Sequence, residues 1–322
     1  MSDLDEHSFA LCLTHDVDRP YKTYQSLYYA VRDRQPGHLL DLLPWREPFW
    51  TFEDIMRMEA DLGVRSAFYF LNEQHLFRDR SPREWVRPEN WMLYLGRYSL
   101  DDPDIRTLVR RLDDGGWEVG LHGSYGSYRD RSRLAFERER LEGVLGRRVL
   151  GGRQHHLNLD RPQTWRYQAD VGLRYDTSLG SSDGYGFQHG YDPIRPFDDE
   201  FVVFPLTLME AALPAVRTAP ERAWAECERL LADARDNGAV MTVLWHPCYF
   251  SDRDFPNYGR LYRRLIERAL DMGAWVGPPR DLYVELDHPT SAGQESTSSS
   301  ATAAPRGAAD GDGIGTQVAG QD

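Results

Sequence analysis

The sequence predicts an α/β protein folded as a distorted (β/α)7 TIM-like barrel in a single domain. Short apolar runs and amphipathic helical segments alternate about seven times over the folded part of the 322 residues, which favours a parallel sheet. Clusters of histidine and aspartate directly follow many of the predicted strands. A barrel collects all such strand ends on one face, whereas a doubly wound sheet brings together only those beside its switch point. We therefore favour the barrel.

The predicted elements follow from the spacing of apolar residues. The first strand is a compact apolar run at residues 9–13, which ends at the sequence THDVD. Helices are predicted where apolar residues recur at helical spacing, and glycines such as Gly63 mark their ends. The predicted strands are residues 9–13, 66–71, 117–121, 149–152, 173–175, 201–205, 239–245 and 274–276. The predicted helices are residues 52–62, 104–112, 132–145, 161–172, 222–237 and 258–272.

Three segments lie outside this alternation. Residues 21–50 and 72–100 are rich in aromatic side chains, and we expect them to be loop insertions that cover the active face. Residues 286–322 contain no Phe, Trp or Tyr and many Ser, Ala, Gly and Thr residues. Such a composition buries too little surface to offset the entropy of ordering, so the sequence predicts a barrel over residues 1–285 and a disordered tail over 286–322.

Composition excludes several classes of partner. The chain has 51 acidic and 38 basic residues and a formal net charge of −13, which disfavours nucleic acid and acidic membrane surfaces and is typical of an acidic proteome. Three scattered cysteines make neither a disulfide framework nor a zinc–thiolate site. No apolar segment approaches a membrane span, and the first residues lack a signal-peptide pattern, so a cytoplasmic location is expected. The oligomeric state is left open.

The sequence Thr-His-Asp-Val-Asp at the end of the first strand is the first candidate for chemistry. Strand alternation places Asp16 and Asp18 on one side and His15 and Val17 on the other. Two adjacent carboxylates repel unless a cation or a shared proton relieves them. The alternative is an ordinary polar junction between strand and loop.

Three later motifs extend this pattern. His122 lies in GLHGSY, Arg153 in RQHH and His246 in LWHP, each after a predicted strand. Each of these residues also has a structural interpretation, as a hydrogen-bonded or solvated polar side chain. Together with the aspartates they supply carboxylate, imidazole and guanidinium groups on one predicted face, which is the inventory of a hydrolytic metal site.

These motifs resemble those of the polysaccharide deacetylases of carbohydrate esterase family 4. The resemblance covers roughly residues 8–280 and is carried by residues 13–18, 118–127, 151–156 and 244–246. It implies one divalent metal ion, Zn²⁺ in preference to Co²⁺, Mn²⁺ or Fe²⁺, and an N-acylated sugar as substrate.

The resemblance also implies a role for each matching residue. Asp16 corresponds to the general base and Arg153 to the residue that orients it. Asp18 and His122 correspond to metal ligands, and His246 to the general acid.

One position departs from the family pattern. The family has a second histidine four residues after the first, where this chain has Gly126. We hypothesise that His155 takes its place as third ligand, because it shares strand parity with Arg153; His156 and solvent are the alternatives. Asp176, in the sequence YDTS, either orients a catalytic partner or caps a turn.

The expected function is that of a metal-dependent hydrolase that removes an N-acyl group, in the first instance N-acetyl, from an amino sugar in a glycan or glycan precursor. Two alternatives remain at this point. One is an allantoinase-like hydrolase of a non-sugar C–N bond, and the other is a non-catalytic carbohydrate-binding barrel.

Overall fold

The computed structural model describes residues 6–22, 25–32, 34, 36–43, 47–197 and 200–287. Within these ranges the strands are β1 Phe9–Val17, β2 Ala67–Leu71, β3 Glu118–Gly123, β4 Gly151–Gln154, β5 Tyr175–Asp176, β6 Val202–Val203, β7 Leu206–Met209, β8 Val240–Leu244 and β9 Ala274–Gly277. The helices are α1 Gln25–Arg32, α2 Phe52–Asp61, α3 Leu76–Asp79, α4 Pro88–Gly96, α5 Pro103–Asp114, α6 Arg131–Leu145, α7 Gln163–Asp170, α8 Pro220–Asn237, α9 Tyr258–Asp271 and α10 Pro279–Asp287.

The strands form one parallel sheet that curls into a distorted barrel, as predicted. Their order is β6-β5-β4-β3-β2-β1-β8-β7, and β9 pairs with the first half of β1. The two ends of this order, β6 and β7, are separated in sequence only by Phe204 and Pro205. The chain therefore joins one edge of the sheet directly to the other, which forces the sheet to curl.

Helices pack on the outside of the sheet and bury its outward face. The largest apolar cluster packs β1 and β8 against α8 and α9, and a second one packs β2 and β3 against α2, α5 and α6. β1 is buried along its whole length. The predicted alternation along β1 is confirmed, because His15 points outward to Glu59 of α2 (Nε2–Oε1 3.0 Å) while Asp16 points into the barrel.

Several predicted boundaries were wrong in ways that concern the site. β1 continues through Asp16, and β4 lies two residues later than predicted, so Arg153 belongs to a strand rather than to the following loop. The strand predicted at 201–205 corresponds to β6, which stops before Pro205, whose nitrogen cannot donate to a ladder. The strand β7, which begins directly after Pro205, was not predicted.

The segments predicted as insertions and tail also have defined structure. Residues 21–50 include α1, and residues 72–100 include α3 and α4. The last helix, α10, was not predicted and continues through Asp287, beyond the predicted start of the tail at 286. The rest of the predicted tail, 288–322, lies outside the described residues. None of the described helices is both long and apolar enough to cross a bilayer.

Candidate active site

The ends of neighbouring strands deliver the predicted site residues to one place. Asp16, His122 and Arg153 are the penultimate residues of β1, β3 and β4. His122 and Arg153 are direct partners in the parallel ladder. Because the carboxyl ends of parallel strands share one face of a barrel, these side chains converge there, together with Asp18 just beyond β1.

Asp18, His122 and His155 form a group of potential metal ligands. One donor atom from each lies within 4.8 Å of the other two. Oδ1 of Asp18 is 3.0 Å from Nε2 of His122, and Oδ2 of Asp18 is 3.8 Å from Nε2 of His155. The chain thus brings together a carboxylate and two imidazoles, a donor set that suits zinc and related divalent ions.

The hydrogen bonding of His122 shows that this group fits a cation. Its Nδ1 lies 2.9 Å from the carbonyl oxygen of Arg153 and donates to it, which leaves Nε2 as the lone-pair nitrogen. Nε2 and the facing Asp18 Oδ1 are both buried and have no hydrogen-bond partner among the described residues. In the neutral imidazole these two atoms are facing acceptors, which a shared cation satisfies; without a metal ion, a proton on Nε2 has the same effect and pairs it with Asp18 at 3.0 Å.

The aspartates and histidines of this group shift one another's pKa values. Burial by itself would raise the pKa of the Asp18 carboxyl, but His155, His122 and His246 around it hold that pKa well below its usual range. Burial by itself would lower the pKa of His122, but Asp16 and Asp18 raise it. The cluster therefore stabilises positive charge at its centre.

Glu73 was missed by the sequence analysis and lies behind His155. Its buried Oε2 is 3.5 Å from Nδ1 of His155 and accepts from the backbone N–H of Tyr125 (3.0 Å). Burial raises the pKa of this carboxyl, but His155 and the N–H donors outweigh it and bring the pKa to about 2. Glu73 lies two residues after the end of β2, just as Asp18 lies directly after the end of β1. The sequence analysis placed Glu73 in a loop insertion and did not consider it.

Arg153 holds Asp16 through one of its nitrogens and is itself fixed through the other two. Its Nη1 donates to Oδ1 of Asp16 at 2.8 Å, and its Nη2 donates to Oγ1 of Thr14 at 2.9 Å. Its Nε donates to the carbonyl oxygen of Thr177 at 3.0 Å. The second oxygen of Asp16 is 3.7 Å from Nε2 of His122, beside the ligand group.

His246 is paired with a second glutamate that the sequence analysis missed. Nδ1 of His246 is 2.7 Å from Oε1 of the buried Glu210, and Nε2 is 3.5 Å from Oδ2 of Asp18. Burial by itself would lower the pKa of His246, but Glu210 and then the two aspartates raise it to about 10. Glu210 directly follows β7, the strand that was not predicted separately.

Two candidates occupy other positions. Asp176 is fully buried and accepts from Trp165, Gln168 and Ser178, so it fixes the turn after β5 and does not contact the reacting groups. This turn carries the Thr177 carbonyl that holds Arg153, which makes Asp176 an indirect support. His156 lines the cavity but lies outside the ligand group, with its ring 4.4 Å from that of His155.

The reacting groups open into a cavity of about 260 Å³. Its charged and titratable lining residues are Asp16, Asp18, Arg19, His155, His156, Glu210 and His246. Its aromatic and other apolar lining comes mainly from the segment before α2 and from the loop after β8.

Solved structures share this fold. A protein from Mycobacterium smegmatis assigned as a polysaccharide deacetylase aligns over 90% of this chain and 93% of its own, with a TM-score of 0.58 and 18% identity. A protein from Pseudomonas aeruginosa PAO1 with the same assignment aligns over 89% and 94%, with a TM-score of 0.57 and 12% identity. The chain has the polysaccharide deacetylase fold.

The polysaccharide deacetylase fold also includes enzymes of other specificity. The allantoinase Puue aligns over 89% of this chain and 93% of its own, with a TM-score of 0.54 and 14% identity. No protein-family model matches the sequence, and no curated protein matches it. At these identities the likeness establishes the fold, and the chemistry rests on the residues described above.

Proposed function

We propose that this protein is a metal-dependent hydrolase that removes an N-acyl group from an amino sugar in a glycan or glycan precursor. The observation that carries the proposal is the convergence of two pairs of groups around the ligand cluster. Asp16 is held by Arg153 and lies 3.7 Å from His122, and His246 is held by Glu210 and lies 3.5 Å from Asp18. A base and an acid that flank a metal site are what amide hydrolysis requires.

Asp18, His122 and His155 would hold the metal ion. Three protein ligands are the usual number at catalytic zinc sites, and carboxylate with imidazole also suits cobalt, manganese and iron. The ion supplies Lewis acidity and acidifies bound water. The backbone carbonyl of Arg153 and the carboxylate of Glu73 orient the imidazoles of His122 and His155 from behind.

Asp16 is suited to act as the general base. Its Oδ1 is occupied by Arg153, while Oδ2 faces the ligand cluster near Nε2 of His122. A carboxylate fixed in this way accepts the proton of the attacking water without reorienting. Arg153 is fully buried, so its guanidinium also compensates the charge of Asp16.

His246 is suited to act as the general acid. Its pKa of about 10 keeps the imidazole protonated at neutral pH, with Nε2 aimed at the cluster. It therefore carries a proton for the amine that leaves when the C–N bond breaks.

Hydrolysis of a non-sugar C–N bond is the second candidate function. The similarity in fold to the allantoinase Puue, at a TM-score of 0.54, is the observation that favours it. A non-catalytic carbohydrate-binding barrel is disfavoured, because the base, the acid and their positioning partners are all in place.

The test is a comparison of substrates with the zinc-loaded protein. N-acetylated chito-oligosaccharides and allantoin are incubated separately, and release of acetate or ring opening is measured. We expect sugar deacylation, and we expect Asp16→Asn to slow it by about 10²–10⁴-fold. Asp101→Asn, at an exposed position, serves as the matched control. Turnover of allantoin alone would favour the second candidate, and no turnover of any amide by the loaded protein would contradict the hydrolase.

A further inference from the structure

The lining of the cavity includes a cluster of four aromatic side chains, called here the aromatic wall: Tyr29, Phe49, Tyr249 and Phe255. Tyr249 and Phe255 have ring centroids 4.2 Å apart, and Phe255 lies 6.2 Å from Phe49 and 6.3 Å from Tyr29. The ring of Tyr249 is 6.2 Å from that of His246. Two segments that are distant in sequence therefore meet beside the proposed acid.

A buried ion pair fixes the two halves of this wall together. Lys22, the only lysine of the chain, is fully buried and donates from Nζ to Asp254 (2.7 and 2.8 Å) and Asp41 (2.9 Å). Asp254 adjoins Phe255 in sequence. Nζ also lies 5.2 Å from the ring centroid of Tyr29 and 5.5 Å from that of Phe49. The wall is thus held in place by charge as well as by packing.

The aromatic wall offers few hydrogen-bond partners. Its polar side-chain atoms are the hydroxyls of Tyr29 and Tyr249, and Arg19 and Gln25 also line the cavity. An apolar group is buried against such rings without leaving a polar atom unpaired, so the wall suits the apolar half of the substrate.

The size of the cavity exceeds what an acetyl group needs. An apolar protein cavity of roughly 150 Å³ holds a benzene molecule. The cavity here is about 260 Å³ and also includes the space beside the reacting groups.

We propose that the aromatic wall binds the acyl group of the substrate, and that this acyl group is larger than acetyl, namely an aliphatic chain of four to six carbons or an aromatic acyl group. This inference rests on the proposed function, in which the amine half is a polar sugar and the acyl half is the apolar part of the substrate.

The test uses N-acyl glucosamines that differ only in the acyl group: acetyl, butanoyl, hexanoyl and benzoyl. With the zinc-loaded protein we expect kcat/KM for the butanoyl compound to exceed that for the acetyl compound about tenfold, from two further buried methylenes. Calorimetric titration with acetate, butanoate and hexanoate gives a readout independent of activity, and we expect the Kd to fall with chain length. A kcat/KM that is highest for acetyl, or equal across the series, would overturn the inference.

The two proposals fail in different ways. Tighter binding of hexanoate than acetate without hydrolysis of any amide would overturn the proposed function and support the apolar pocket. Hydrolysis of the acetyl compound with no gain from longer chains would support the hydrolase and overturn the pocket assignment.

Two variants localise the effect to the wall. Cys248→Phe places a ring in the cavity, so the butanoyl-to-acetyl ratio should fall to about one; Phe255→Ala widens the cavity, so benzoyl should gain relative to butanoyl. Phe136→Ala, at an exposed position on α6, is the matched control and should leave the ratios unchanged. Ratios that stay the same in folded Cys248→Phe and Phe255→Ala proteins would overturn the assignment.

Discussion

At the scale of single residues, the site pairs two histidines with two buried glutamates. Glu73 lies behind His155, and Glu210 lies behind His246. In the proposed function the same pairing serves two purposes, because His155 would hold the metal ion and His246 would protonate the leaving amine. Each glutamate would act through its histidine, as a positioning residue.

Replacement of Glu73 by glutamine tests its role in metal binding. The amide keeps the size of the side chain but removes the charge that orients His155, so we expect zinc affinity to fall about 10–100-fold. The measurement is competition titration with a chelating dye. Glu89→Gln, at an exposed position in the same insertion, is the control. An unchanged zinc affinity in Glu73→Gln would show that His155 needs no such support.

Replacement of Glu210 by glutamine tests the pKa of His246. A nearby carboxylate stabilises the imidazolium, so its removal must lower this pKa from about 10 towards the ordinary value of about 6.5. NMR titration of the histidine ring protons in the metal-free protein measures the shift directly. A pKa that stays near 10 in the variant would assign the effect to the aspartates instead.

At the scale of elements, the sequence was informative where polar residues end regular strands. The apolar runs before Asp16, His122 and His246 predicted both the strands and their convergence on one face. Glu210 was not found in this way, because the predicted strand ended at Pro205 and β7, which follows β6 after only two residues, was not predicted. Glu73 was missed because it lies in the segment 72–100, which departs from the strand–helix alternation and was assigned to an insertion. The strand β2, which ends only two residues before Glu73, was predicted.

Through its ion pairs with Asp41 and Asp254, Lys22 joins the segment before α2 to the loop after β8. Its replacement tests how much this connection stabilises the fold. Lys22→Met leaves the buried carboxylate of Asp254 without its lysine partner and leaves Asp41 with Arg253 alone, which should lower the free energy of unfolding by about 3–5 kcal/mol. Urea denaturation measures the loss. Adding Asp254→Asn to the variant removes one of the uncompensated charges and should restore part of the stability. Equal stability of Lys22→Met and wild type would mean that the ion pair does not hold these elements together.

At the scale of the whole molecule, the barrel also encloses a buried acid, Glu118, at the opposite end of β3 from His122. Glu118 accepts from the hydroxyl of Tyr175 and the backbone N–H of Arg280, and burial raises its pKa to about 7. Between pH 4.5 and 7 the folded protein therefore holds a proton that the unfolded chain releases. Folding stability must fall as the pH rises through this window.

Glu118→Gln isolates this contribution, because the amide hydrogen-bonds in the same place without titrating. From pH 5 to pH 8 the wild type should lose about 2–3 kcal/mol more stability than the variant, since one pKa unit corresponds to about 1.4 kcal/mol. Urea unfolding at a series of pH values gives the difference. Parallel pH profiles for the two proteins would contradict a raised pKa at Glu118.

The central claim is that the barrel gathers Asp18, His122 and His155 into one metal site. The most direct test is the stoichiometry of bound zinc, measured by elemental analysis after dialysis, in the wild type and in His122→Ala, His155→Ala and His156→Ala. We predict one ion per chain in the wild type and in His156→Ala, and loss of the ion in the other two variants. A wild type that binds no divalent ion, or a His155→Ala protein that retains it in full, would contradict the account.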